Sequence, residues 1–460
     1  MSTTDKALAC AEAGFDASIT RWMDWLRIPS VSAQPTHDAD CIQAARFAQA
    51  ELEQLGFQAT IRQTNGHPVV VAHHPGPGGT APHLLYYGHY DVQPAEPLDL
   101  WTSPPFSPTL IDGPNGKRVV ARGAVDDKGQ VSMWLSAFRA WHEATGSMPA
   151  RITVLIEGEE EVGSPNLESF VTANAAELKA DIAVISDTGM WDIDTPALTT
   201  SLRGLVYMEV TLRAAARDLH SGMYGGSALN PINALTTALG QLTDKAGRIR
   251  IPGFYDGIAD VTEKQAEQWD KLAFDEKKYL GDISLRLPVG EIDRTALERL
   301  WTRPTADING IWGGYQGPGS KTVIPAEASA KISFRLVPGQ NPDRIAEGFR
   351  TFMTALVPED AKLEFKVFGT APGMQIETDS PFVVSALEAM HDEFDRPAVM
   401  IGCGGSIPVV ESFRRVLGID SLLMGFGLDD DQVHSPNEKF DVACFRHGLR
   451  SHVRLLGKLG

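Results

Sequence analysis

Four short apolar runs constrain this chain more than any other feature: Val69–Ala72, Leu84–Tyr87, Ile152–Ile156 and Ile182–Ile185. Each is four or five residues long and lacks polar alternation. A strand with one wet face alternates, whereas a strand covered on both faces does not, so such runs belong in a sheet flanked by helices. Helical spacing of apolar residues supplies the cover over residues 16–27, 41–55, about 128–144 with Gly146 as a stop, and about 166–178. From Leu198 the pattern changes. Val206–Leu212 and Lys331–Val337 alternate like half-exposed strands, helical spacing recurs near 231–243 and 341–356, and the polar stretch 255–282 reads as a helical excursion with a solvated face. The first pattern resumes near residue 381, with a helix over 382–394, a strand around Val399–Ile401 and the apolar Leu422–Met424. The expected fold class is α/β: a helix-flanked mixed β-sheet domain from residues 1–200 plus 381–460, and an inserted α+β domain over residues 201–380.

Composition narrows the possible partners. The 41 Lys+Arg and 59 Asp+Glu leave a net charge of −18, which opposes phosphate backbones and anionic membranes, so neither nucleic acid nor a membrane is expected as a partner. No stretch approaches the roughly 20 apolar residues of a membrane span. Residues Ala7–Cys10 resemble a lipoprotein cleavage site only superficially, because Asp5 and Lys6 precede them and no apolar segment does. Cys10, Cys41, Cys403 and Cys444 are widely spread and form no C-x-x-C pair, which suits a reducing compartment. A soluble, cytoplasmic protein is the expectation.

Function is suggested by the residues just beyond the runs. Leu84–Tyr87 leads into Gly88-His89-Tyr90-Asp91, Ile152–Ile156 into Glu157-Gly158-Glu159-Glu160-Glu161, and Ile182–Ile185 into Ser186-Asp187. Sites in open α/β sheets form beyond the carboxyl ends of strands. A further loop places Asp126-Asp127 just before a helix, and His434 arrives late in the chain. Alone, each has an ordinary explanation: a structural histidine, a solvated acidic run, acids complementing a helix dipole. Together they would crowd like charges unless a cation intervened. Imidazoles mixed with carboxylates suit divalent metals, zinc first and manganese or cobalt next.

The motifs GHYDVQP (88–94), RGAVDDKG (122–129), EGEEEVGS (157–164), SD (186–187), DLHSGMYGG (218–226), GPGSKTVIPA (317–326), FRLVP (334–338) and GGSIPV (404–409) occur in order, between IPSVS (28–32) and HSPNEKF (434–440). In these the chain resembles the dinuclear metallopeptidase family of aminoacylase, bacterial glutamate carboxypeptidase, succinyl-diaminopimelate desuccinylase and carnosinase, and most of all its carnosinase-like branch of cytosolic non-specific dipeptidases. The resemblance implies a catalytic domain of the zinc-exopeptidase type with an inserted lid and dimerisation domain. It also implies two divalent metal ions per subunit: His89 and Asp187 holding one, Glu161 and His434 the other, and Asp126 bridging both. Asp91 would accept a hydrogen bond from the His89 ring, and a cis peptide would join Asp126 to Asp127.

The same resemblance makes Glu160 the general base and acid, acting on a metal-bridging hydroxide that attacks a dipeptide's amide carbonyl. Glu159 falls where relatives often carry an uncharged residue, which leaves the mechanism intact but places a charge beside the base. His220 would reach across a homodimer and steady the oxyanion in trans, and Arg335 would hold the substrate's terminal carboxylate. Thr322, from the partner subunit, and Ser406 would add polar contacts to the same substrate end. The alternative within the family is an N-acyl-amino-acid amidohydrolase. Nothing in the residues fixes the substrate's side chains.

Overall fold

In the computed structural model, which describes residues 1–405 and 407–460, the four apolar runs become neighbouring strands. The chain divides into two units. The first comprises Met1–Thr200, Ile376–Ile401 and Pro408–Gly460, and the second Ser201–Gln375 and Gly402–Ile407.

The sheet of the first unit runs Gln58–Arg62, Val69–His74, Arg151–Glu157, His83–His89, Ile182–Ile185, Ser421–Leu423 and then the strand beginning at Ala197. His83–His89 lies parallel to both Arg151–Glu157 and Ile182–Ile185, while Val69–His74 is antiparallel to Arg151–Glu157. The sheet is therefore mixed. Its parallel centre is covered on both faces, which the two tyrosines show directly. Tyr86 packs against Trp134 and Phe138 of helix Lys128–Thr145, and the next residue, Tyr87, packs against Phe413 on the opposite side. Every residue of His83–His89 is buried. Full burial of such apolar side chains stabilises by about 1.5–3 kcal/mol each, which is why polar alternation is absent here.

Helix Lys128–Thr145 ends at Gly146 in the left-handed conformation, as the sequence suggests. The helical spacing over 166–178 resolves instead into Leu167–Ala173 and Ala175–Leu178. Asn174 separates them, its backbone leaving the helical region while its side-chain amide donates to the Phe170 carbonyl. Helix Val442–Leu459 closes the unit by packing on Lys128–Thr145 and Pro381–Phe394. A small sheet of Thr109–Gly113, Gly116–Val120 and Lys439–Asp441 ties the late part of the chain to the loop after Val120. Among the described residues no helix is long and apolar enough to cross a membrane.

The second unit is an antiparallel four-stranded sheet ordered Thr305–Gly313, Glu327–Leu336, Gly204–Arg213, Lys362–Ala371. Even-numbered residues of Gly204–Arg213 are buried and the odd ones partly open. Val206, Met208, Val210 and Leu212 meet Ile332 and Phe334 in a core that helices Pro231–Leu239 and Pro342–Leu356 complete. The stretch 255–282 carries two short helices, Glu263–Asp270 and Glu276–Asp282.

Candidate metal centre

Parallel strands end on the same side, and the first unit uses that rule to gather its ligating groups. His89 is the last residue of its strand, Glu160 and Glu161 lie in a turn just after the neighbouring strand, and Asp187 follows the next one by two residues. Asp126 comes from the loop before helix Lys128–Thr145, joined to Asp127 by a cis peptide bond. The Asp126 carboxylate lies between two imidazoles. Its Oδ1 is 3.2 Å from His89 Nε2, and its Oδ2 is 3.0 Å from His434 Nε2. His434 Nε2 is also 3.1 Å from Glu161 Oε2, and His89 Nε2 is 4.0 Å from Asp187 Oδ2. Two ligand sets result, His89–Asp126–Asp187 and Asp126–Glu161–His434, sharing Asp126.

The donor chemistry fits a pair of dications. His89 is fully buried, yet its Nε2 has no hydrogen-bond partner. Burial, with Asp126 and Glu161 nearby, raises the Asp187 carboxyl well above the ordinary range. Glu160 and Glu161 are raised in the same way, burial first and neighbouring carboxylates next. Asp126 departs in the other direction: burial opposes its ionisation, but the flanking imidazoles prevail and hold it below its usual value. His434 is pushed up to about 10 by Asp126 and Glu161. A cluster whose acids resist ionisation for want of positive charge is one that cations would complete.

The surrounding contacts set the geometry. Asp91, fully buried, accepts main-chain hydrogen bonds from Glu160 (3.2 Å) and Glu161 (3.1 Å). His89 Nδ1–H therefore donates to the Asp91 main-chain carbonyl at 3.1 Å, with the carboxylate at 3.4 Å, because that carboxylate is engaged by the two amides. Either acceptor places the ring proton on Nδ1 and leaves Nε2 free to ligate. Glu159 points away from the cluster and accepts two hydrogen bonds from Asn166.

Three contributing residues sit inside the sequence motifs without having suggested a role. Glu438, fully buried, accepts main-chain hydrogen bonds from Gly123 (2.9 Å), Val125 (3.0 Å) and Asp126 (3.2 Å) and one from Arg122 (2.7 Å). It thereby fixes the backbone at Asp126 from a position four residues past His434. Gln93 donates to the Glu161 carboxylate at 2.8 Å. Lys128 buries its ammonium against the carbonyls of Ile28 (2.7 Å) and Trp25 (3.3 Å). Only the residue types hinted at any of this, since most of the bonds run to backbone and the rest join residues distant in sequence. His434 itself has a left-handed backbone, φ 61°, a conformation uncommon outside glycine and often found at functional sites.

In the second unit, His220 pairs with Val323 across a two-stranded ribbon, and the Ser221 amide donates to the Thr322 carbonyl at 3.0 Å. His220 and Thr322 are thus adjacent, and both are exposed. His220 Nδ1 accepts from the Gly222 amide at 3.0 Å, which leaves the ring proton on Nε2 as an outward donor. Arg335 is half-buried on the sheet opposite Leu205 and Thr305. Ser406 lies outside the described residues.

Comparison with known proteins is consistent with this centre. The family described as peptidase family M20/M25/M40 matches residues 85–458. The Cys-Gly metallodipeptidase dug1 of Schizosaccharomyces pombe is 31% identical, with 97% of this chain and 96% of that protein aligned. The Beta-Ala-His dipeptidase of Homo sapiens is 29% identical over 95% of this chain and 88% of its own length. The crystal structure of human carnosine dipeptidase 1 superposes with a TM-score of 0.84 at 28% identity, covering 100% of this chain and 99% of that one.

Proposed function

The chain belongs to peptidase family M20/M25/M40, and from that premise we propose that it is a dinuclear, metal-dependent dipeptidase acting on small unblocked peptides. The observation that carries the reading is the Asp126 carboxylate, one oxygen toward His89 and the other toward His434. The names of its relatives, a Cys-Gly metallodipeptidase and a Beta-Ala-His dipeptidase, support a dipeptide over an acylated amino acid.

In the proposed site His89 and Asp187 would hold one ion, Glu161 and His434 the other, and Asp126 would serve both. Zinc suits this mixture of imidazole and carboxylate, with manganese or cobalt as substitutes. When bound, such a pair acidifies water and polarises the scissile carbonyl. Glu160 takes the proton of the attacking water and delivers it to the leaving amine, so one carboxylate serves as base and then acid. Asp91 keeps that carboxylate in place by holding the Glu160 and Glu161 amides. Arg335 receives the terminal carboxylate, with Thr322 and Ser406 as smaller contacts at the same substrate end.

The inserted unit is proposed to act as lid and dimerisation domain, with His220 and Thr322 offered to the partner subunit. Their exposure side by side on one ribbon supports that role, as does the Nε2–H donor that His220 presents for an oxyanion. A cytoplasmic location rests on the four scattered cysteines. The test is hydrolysis of an unblocked dipeptide against its N-acetylated counterpart by the metal-loaded chain. The proposal expects turnover of the first. Turnover of the acetylated compound alone would move the assignment to the deacylases.

A further inference from the structure

Within the second unit lies a cavity of about 600 Å³, in the size range of small-molecule sites. Its charged lining is mostly self-satisfied. Arg303 donates two hydrogen bonds, both 2.9 Å, to Glu291, Arg299 pairs with Glu276, and Asp244 accepts from the Ala246 and Arg248 amides. Arg203 is the exception. Only 7% exposed, it donates one hydrogen bond to the Arg299 carbonyl, its Nε has no partner, and among the described residues no carboxylate lies within ion-pair distance of it.

A buried guanidinium without a counter-charge is unfavourable unless something else supplies the anion. Burial, and then the neighbouring Arg335 charge, lower the Arg203 guanidinium to about 10. Asp307, which lines the same cavity, partly offsets that repulsion without pairing to Arg203, and the buried Nε that lacks a partner is left to an incoming anion. The wall also carries the apolar Ile249, Leu280, Leu300 and Val289, beside the charged Lys245 and Asp307. Part of the lining is a close backbone approach that excludes a side chain. A Cβ on Gly247, whose φ is +77°, would fall 1.9 Å from the Gly290 carbonyl oxygen.

We propose that this cavity is a carboxylate-binding site, in which Arg203 takes the α-carboxylate of an amino acid residue and the aliphatic wall takes its apolar side chain. Arg335 is already assigned to the terminal carboxylate of the peptide substrate and does not line this cavity, so the occupant here is a free amino acid such as hydrolysis releases. Its source rests on the dipeptidase reading; the site itself does not.

The experiment is calorimetric titration of the full-length, zinc-loaded protein with L-leucine and with leucinamide, for the wild type, Arg203→Gln and Leu280→Trp. Leu280→Trp fills the cavity from a short surface helix and keeps the test decisive if Arg203→Gln fails to fold. Leucine should bind the wild type at least about tenfold more tightly than leucinamide, as loss of a charged hydrogen bond implies. Its affinity should fall about ten- to hundred-fold in either variant. Steady-state kinetics then separates this site from the substrate position. Non-competitive inhibition of alanyl-leucine hydrolysis by leucine that disappears in Arg203→Gln supports a second, free amino acid site. Purely competitive inhibition that Arg203→Gln leaves unchanged would place leucine at the substrate position alone and overturn the proposal. Leucine affinity equal in the wild type and the variants, or leucinamide binding as well as leucine, overturns the proposal. Because binding is read without turnover, an absence of peptide hydrolysis would count against the dipeptidase reading and leave this result standing.

Discussion

Replacing Asp91 by Asn changes one oxygen to an amide and leaves the volume nearly unaltered, so its consequences come from hydrogen bonding. The Asp91 carboxylate receives the Glu160 amide on one oxygen and the Glu161 amide on the other, with no exposure to solvent. Asparagine retains one acceptor. Its NH2 group must then face a main-chain N–H, so one charge-assisted bond, about 1.5–3 kcal/mol, is lost and a buried donor is left unpaired at about 1–3 kcal/mol. That penalty falls on the turn carrying Glu160 and Glu161. The His89 ring is affected less, because the Asp91 main-chain carbonyl at 3.1 Å still receives Nδ1–H. The two metal positions should therefore separate in competition titrations with a chromophoric chelator. Affinity at the Glu161–His434 position should fall about 10- to 100-fold, affinity at the His89–Asp187 position by less than about threefold, and kcat should fall with the first. If both positions weaken equally, the carboxylate acts through the histidine and this role for Asp91 is wrong. If neither weakens and activity is unchanged, Asp91 positions nothing.

Other perturbations bear on separate parts of the site. Glu160→Gln should keep metal content near that of the wild type while kcat falls about 10²- to 10⁴-fold; a nearly fully active variant would displace Glu160 as the base. Mixing inactive His220→Ala chains with inactive Glu160→Gln chains should restore partial activity once subunits exchange, since one site of the heterodimer then holds both native groups. No recovery, with exchange demonstrated by mass-labelled chains, would count against action in trans. Metal removal should make stability steeply pH-dependent. Without cations Asp187 and Glu161 are raised above their unfolded values and His434 is raised to about 10. The folded state thus holds protons that the unfolded chain releases, and stability is lost as pH rises above the ordinary carboxylate range and on through neutrality. The difference in urea midpoint between metal-loaded and chelated protein should therefore widen from pH 5 to pH 8, and a constant or shrinking difference would contradict the electrostatic reading of the centre.

The parts of this molecule readable from sequence were those whose physics leaves a side-chain pattern. Leu84–Tyr87 and Ile182–Ile185 stand out because strands covered on both faces cannot afford polar residues, and the groups just beyond their ends include His89 and Asp187. Outer strands leave a weaker trace. Thr305–Gly313 contains Asn309 and Gly310 at a register shift and is largely exposed, and Lys362–Ala371 has a shift of its own between Val367 and Gly369. Helix Val442–Leu459 carries Gly448, an unpromising helical residue whose use is proximity: a Cβ there would sit 1.7 Å from the Met133 sulfur. Within the site, side chains that would face metal were visible as His and acid after strands. Those that act on backbone were not, because the three amides that Glu438 grips leave no mark in the side-chain pattern, and its one side-chain partner, Arg122, lies more than 300 residues away in sequence. Arg203 was silent for a related reason, since its distinction is a buried Nε without a partner and, among the described residues, no carboxylate at ion-pair distance.

The central claim is that His89, Asp126, Glu161, Asp187 and His434 form a paired metal site required for hydrolysis. Its most direct test is elemental analysis of the purified chain during stepwise reconstitution after chelation, with hydrolysis of an unblocked dipeptide measured at each step. Binding should saturate at two zinc, manganese or cobalt ions per chain, with activity appearing as the pair fills and vanishing again on chelation. Full activity in the chelated protein, or saturation at two ions with no hydrolysis of any dipeptide tried, would contradict the claim.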